Sequence, residues 1–230
     1  MECTLLLKGG RIVDPSQGLD AIADVALAGD RILAIAPDLS ALNPSRIENV
    51  SGLLVVPGLI DMHTHVYPGV TALGLDPDAT SLAKGVTTVL DAGSAGATNI
   101  EGFRRFIVSR ARTRIRALLN IASIGMPFNG VTATELGWSP LIDVDAAVSA
   151  IESHRDLVVG LKVRMTRYIV KDTRDQALYA ALDASERAGV PIMVHIGDSP
   201  IPVGAIFDHL RPGDIVTHMY TACLLYTSDA

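Results

Sequence analysis

Apolar and polar positions follow two rhythms along this chain, and the change falls near Pro57. Before it, short apolar runs at residues 4–8, 11–13, 23–27 and 31–35 are punctuated by Gly9-Gly10, Asp14-Pro15 and Gly29-Asp30. Short runs bounded by such pairs predict antiparallel strands and hairpins. Residues 28–31 are a tight-turn candidate between two of them. Residues 1–56 therefore read as a small β-rich module with no chemistry of its own. From Pro57 on, strand-like runs alternate with helix-like segments. Strands are predicted at 59–65, 86–91, 116–124, 157–163, 191–196 and 214–218. Helices are predicted at 76–84, 98–112, 143–154, 173–188 and 203–210. Asp76 or Asp78 caps the first, and Gly85 and Gly189 act as stops. Six strand–helix alternations imply an α/β fold with a parallel sheet, open or closed into a barrel.

Composition agrees. Of 230 residues, 49% are hydrophobic and only 4% aromatic, so Ala, Val, Ile, Leu and Gly build the core. That palette suits buried parallel strands covered by helices. The net charge is −6, and the densest basic group, residues 104–116, reads as the exposed face and end of a helix. Nucleic-acid binding is unsupported. Cys3 and Cys223 lie at opposite ends without metal-type spacing, which argues against a disulfide framework. No basic-then-apolar segment opens the chain, and no apolar run approaches the ~18 residues that span a bilayer. The expected location is cytoplasmic, with no membrane partner.

The histidines change the picture. His154 and His209 fall at the C-terminal ends of predicted helices, where a cation complements the helix dipole. The other four, His63, His65, His195 and His218, fall at the C-terminal ends of the first, fifth and sixth predicted strands. His63 and His65 are two apart, so on a strand they project to one side. Alone, that pair is either half of a transition-metal site or two unrelated loop histidines. In a parallel α/β barrel, however, strand C-termini converge on one mouth. Four histidines at equivalent ends of three strands favour metal binding.

Lys162 shares one strand face with Gly160 and Arg164. Barrel strands are buried on both faces, so Lys162 is expected inside. A bare ammonium there costs several kcal/mol unless paired, and burial favours the neutral amine. A neutral amine can take up carbon dioxide to form a carbamate, an anion whose two oxygens could bridge two metal ions. A lysine reaching the rim, or one paired with an acid, is the other reading from position alone.

Residues 58–65 (Gly-Leu-Ile-Asp-Met-His-Thr-His), 160–164 (Gly-Leu-Lys-Val-Arg), Val194-His195 and Thr217-His218-Met219 together resemble the amidohydrolase superfamily. More narrowly, they resemble its dihydroorotase-like amidohydrolase/deacetylase metallohydrolases. Residues 8–15 and 24–27 resemble that family's small N-terminal β-sandwich, and residues 85–94 its second barrel strand and following loop. The resemblance covers residues 4 to about 221. It implies a (β/α)8 TIM-type barrel, about six strands of it present in residues 57–222. It also implies two divalent metal ions, zinc by family habit. His63 and His65 would hold one and His195 and His218 the other, bridged by carboxylated Lys162 and a hydroxide. The implied reaction is hydrolysis of a cyclic amide, an N-acyl group or a related ester in a small molecule. Arg164, or the loop at Ser94, would contact a substrate carboxylate or carbonyl; a rim salt bridge is the alternative for Arg164. A mononuclear deaminase and a non-catalytic dihydroorotase-like assembly protein are the rival readings.

The family's catalytic aspartate, at the end of the eighth strand, has no candidate in this chain. Residues 223–230 read as a non-native, adapter-derived tail. The expectation is an incomplete barrel, inactive as it stands, from a longer protein that forms homo-oligomers.

Overall fold

A computed structural model describes residues 2–127 and 134–220. The suspected tail at 223–230, with Cys223, lies outside them. The chain divides into two compact units between Leu59 and Ile60.

The first unit is one five-stranded sheet. Its strands are β1 (Leu5–Asp14), β2 (Leu19–Ala28), β3 (Arg31–Ala36), β4 (Ile47–Asn49) and β5 (Leu54–Val55). The order is β3-β2-β1-β4, with β5 also pairing β1. Gly29 at φ 62° makes the expected turn from β2 to β3. Gly9-Gly10, however, is not a turn. β1 runs through it, with a register shift between Leu7 and Gly10 and Gly9 at φ 77°. The glycines mark a bulge, the other meaning of glycine inside a strand pattern. Asp24 secures the bulge: one oxygen accepts from Gly9 N at 2.9 Å and the other from Leu39 N at 3.0 Å.

The second unit carries the strands β6 (Leu59–Thr64), β7 (Val86–Gly96), β8 (Arg114–Asn120), β9 (Val158–Met165), β10 (Ile192–Ile196) and β11 (Ile215–Thr217). They form one six-stranded sheet in sequence order. The sheet curls into a half-barrel: His63 of β6 reaches Thr217 of β11, five strands away, at 2.7 Å. Alternation sorts the side chains. Val89, Ile115, Leu119, Leu161, Val163 and Val194 join the main core under the helices, numbered α1 (Pro77–Thr80), α2 (Ile100–Phe103), α3 (Val144–Ser153), α4 (Arg167–Val170), α5 (Gln176–Ala188) and α6 (Val203–Phe207). Leu90, Ala92, Leu118 and Met193 form a separate cluster on the concave side.

The helices are less regular than the pattern predicts. Asp143 caps α3 by accepting from Ala146 N at 2.9 Å, and Gly189 at φ 64° closes α5. The segment at 98–112 instead forms a four-residue α-helix, Ile100–Phe103, that widens into a π-helical turn over Arg104–Val108. The helix expected at 76–84 is split into Pro77–Thr80 and a 3₁₀ turn, Leu82–Lys84. Val203–Phe207 is shorter than expected, and Arg167–Val170 is an extra short helix. His154 ends α3 and accepts from Arg104 Nε at 3.1 Å, while His209 faces Tyr179 Oη at 3.4 Å, so both are tied into structure.

Asp78 ties the β6–β7 connection to the start of β8. Its carboxylate accepts from Arg112 N (2.9 Å), Thr113 N (2.8 Å) and Thr113 Oγ1 (2.7 Å). These bonds, that from Arg112 N first, hold its pKa below the ordinary 3.8. Its contribution is therefore complete above pH 3.8 and is lost as pH falls through the lower folded value. Asp78→Ala is expected to cost about 1–2 kcal/mol at neutral pH. Its penalty should shrink as pH falls below 3.8; urea unfolding of both proteins at pH 7 and in acid checks this.

Candidate metal centre

The concave face of the half-barrel brings the four strand-end histidines together. His63 sits in β6 and His195 in β10; His65 and His218 lie one residue beyond β6 and β11. Ring centroids are 5.6 Å apart for His63 and His65, 5.0 Å for His63 and His218, and 4.3 Å for His195 and His218. With Lys162, Arg164, Leu73 and Met126 these rings line a cavity of about 210 Å³.

Hydrogen bonds aim the rings. His65 Nδ1 lies 3.0 Å from Ser94 Oγ, and His63 Nδ1 lies 2.7 Å from Thr217 Oγ1. Asp61 Oδ1 accepts from His63 N at 2.9 Å. Burial, reinforced by the positive charge of Lys162, pushes His63 down to about 4, His65 to about 3 and His195 to about 2; His218 is lowered for the same reasons. All four imidazoles are thus neutral near pH 7, the form that offers a lone pair to a cation.

Lys162 is 1% exposed. It does not reach the rim, and among the described residues no carboxylate lies within salt-bridge distance of it. Its Nζ donates to Met193 Sδ at 3.3 Å, a weak acceptor. Burial, with Arg164 adding and Asp91 opposing, pushes its pKa down to about 7. Gly93 makes room for its stem: a Cβ there, at φ 92°, would lie 2.6 Å from Lys162 Cβ.

Four neutral imidazoles and an amine that burial makes easy to deprotonate fit divalent metal. Among the described residues, no three histidine, cysteine, aspartate or glutamate side chains stand ready to close on one ion. The rings follow one another as His65, His63, His218 and His195, with Lys162 lining the same cavity as a further donor.

Arg164 does not make a rim salt bridge. It points inward and pairs at 2.7 Å with Glu135, which is 0% exposed. Ser94 is also fully buried and sits behind His65 rather than on the cavity wall. Sequence reasoning assigned no role to Glu135, Asp91 or Thr217. Asp91 is fully buried and accepts from the backbone N–H of Val66, Gly93 and Ser94. Its one visible signal was an acid ending an apolar strand.

The amidohydrolase family model matches residues 54–206, the stretch that carries β6 to β10 and four of the five candidate metal donors. The chain belongs to the amidohydrolase family. It is 34% identical over 199 residues to a deacetylase of Agrobacterium fabrum, covering 86% of this chain and 48% of that protein. A crystal structure of a dihydroorotase superposes with a TM-score of 0.86 at 31% identity, covering 96% of this chain and 58% of that one. An adenine deaminase superposes with a TM-score of 0.83 at 30% identity, covering the same shares. The chain spans about half the length of the curated amidohydrolase relatives it matches. Among the described residues, no helix is long and apolar enough to cross a membrane.

Proposed function

We propose that this amidohydrolase, in its complete form, hydrolyses an amide or related ester bond of a small acyl substrate at a two-metal site. One observation carries the reading: four neutral imidazoles and a buried lysine with no carboxylate partner among the described residues converge on one cavity. His63 and His65 would hold one divalent ion and His195 and His218 the second. Lys162, as its carbamate, would bridge them. Zinc suits imidazole and oxygen donors. When bound, the ions supply a water acidic enough to attack at neutral pH and polarise the scissile carbonyl.

The chain's own residues do the rest. Ser94 and Thr217 fix the His65 and His63 rings through Nδ1, which leaves Nε2 of each to face a ligand. The apolar wall of Leu73 and Met126 limits water around the acyl group. Arg164 offers a fixed positive charge to a substrate oxygen. Likeness to a deacetylase and a dihydroorotase supports amide hydrolysis.

Likeness to an adenine deaminase favours a second reading: one metal ion and an unmodified Lys162. Metal analysis and intact mass separate the two. Two zinc equivalents per chain, with a mass excess of one carbon dioxide that acid removes, are expected. One equivalent and no excess would select the deaminase reading. No zinc binding at all would overturn both.

A further inference from the structure

We propose that Gly197 and Thr166 form a neck between the metal cavity and a second pocket, and that this pocket takes an uncharged, ring-sized apolar side chain of the substrate. That the ligand is a substrate rests on the hydrolase reading above; the pocket and its neck rest on the residues that wall them.

The second pocket, of about 200 Å³, lies where the segment after β10 meets the one after β9. Pro200, Ile201, Pro202 and Val203 give it apolar walls. The two proline rings fix φ along that wall and so hold its shape. The polar groups at the pocket are already engaged. Arg167 Nε lies 3.4 Å from Asp198 Oδ2, and the same guanidinium donates to Ser199 O at 3.2 Å. Ser199 Oγ donates to Met165 O at 2.7 Å. A charged group would have to break one of these contacts to be satisfied here, whereas an apolar one gains by leaving water. An apolar cavity of about 150 Å³ can hold benzene, so the volume suits a single ring.

Gly197 joins this pocket to the metal cavity. It lines the pocket, and a Cβ built on it would lie 4.0 Å from Nε2 of His195, which lines the metal cavity. The same Cβ would lie 3.4 Å from Thr166 Oγ1. Glycine here leaves the passage clear of a side chain. Thr166 follows Lys162 and Arg164 at period two, one residue beyond β9, which keeps it on the concave side. It is 4% exposed, and its Oγ1 is buried without a hydrogen-bond partner among the described residues. A buried hydroxyl in that condition weakens the fold unless a bound group meets it. A substrate that spans both spaces sets its scissile bond beside His195 and its side chain beyond the neck. Its amide then crosses Gly197, where the Thr166 hydroxyl can donate to the carbonyl oxygen.

The test compares N-acetylphenylalaninamide with N-acetylglycinamide by titration calorimetry. Both probes are neutral and differ only by a benzyl group. Each is measured on the zinc-loaded chain and on the chain kept in chelator. The wild-type chain is expected to prefer the benzyl probe at least about tenfold in both states, the return for burying one aromatic side chain. Gly197→Val closes the neck and is expected to keep its zinc content while the preference falls below about threefold. Ile201→Trp fills the pocket from its wall and carries the same expectation should the valine variant not fold. Thr166→Val, which keeps the shape and removes the hydroxyl, should weaken both probes by about threefold or more and leave their ratio unaltered. Equal binding of the two probes by wild type, or an undiminished preference in a folded Gly197 or Ile201 variant, would overturn the pocket. Affinities unmoved by Thr166→Val would overturn the neck. Failure to take up zinc strikes the hydrolase reading instead, and the chelated chain still reports on the pocket.

Discussion

Replacing Lys162 with methionine is expected to stabilise the metal-free chain while removing its capacity for a second zinc ion. The side chain is 1% exposed, and its ammonium has a thioether as its partner at 3.3 Å. Arg164 adds like charge from the same strand face, and Asp91 offsets only part of it. Folding therefore strips an ammonium of water and returns little to it. Methionine follows the same stem past Gly93, fills a similar volume and carries no charge. Exchanging buried ionic groups for apolar side chains of similar size yields about 1–4 kcal/mol, and the gain here should fall in that range. The same change removes the only side chain proposed to serve both imidazole pairs. Urea unfolding in chelator reads the first effect, and zinc titration followed by metal analysis reads the second. A purely structural lysine predicts the opposite pattern: lost stability with zinc binding unaltered. A natural side chain that weakens the empty fold is understandable only if something bound there makes use of it.

Why Lys162 was visible from sequence, and Glu135 was not, follows from what a strand pattern encodes. β9 is a continuous apolar run, so a charged residue inside it stands out, and period-two alternation gives its side. The strand-end histidines are legible for the same reason, because parallel strands place their C-termini at one mouth. Glu135 lies in an irregular stretch between β8 and α3, where no period assigns a face. Its importance arises from contact with Arg164, 29 residues away. Ser94 is expected in the loop after the second barrel strand; it lies inside β7, which runs on to Gly96, and its hydroxyl meets His65 rather than the cavity. Gly9-Gly10 shows the limit of punctuation, since the same pair can turn a chain or bulge a strand. At 98–112 the pattern promised a regular helix. The structure keeps only one α-helical turn there, Ile100–Phe103, where Tyr67 Oη leaves no room for a side chain at Gly102, and the helix beyond it widens.

Asp91→Ala should be among the most damaging single changes in the second unit, at about 3–5 kcal/mol. The carboxylate is 0% exposed and accepts from Val66 N at 2.8 Å, Ser94 N at 2.7 Å and Gly93 N at 3.2 Å. Those donors come from the segment following β6 and from the last part of β7, so a single side chain fastens the segment after His65 to the one that holds Ser94. Each buried N–H left without a partner costs about 1–3 kcal/mol, and partial relaxation keeps the sum below simple addition. Asp91→Asn should lose less, about 2 kcal/mol. It retains one acceptor oxygen, and it removes the charge whose burial pushes the Asp91 carboxyl upward against its backbone donors. Chemical denaturation of the three proteins gives the ranking. Amide exchange at Val66 and Ser94 gives the mechanism, because those two protons should exchange faster in both variants while the amides of β9 to β10 keep their relative protection. A loss under about 1 kcal/mol for the alanine variant would mean that water replaces the carboxylate. In that case the alignment of His65 would have to come from Ser94 alone. The ranking therefore decides whether the metal-facing loops are held by this buried acid or only by their own turns.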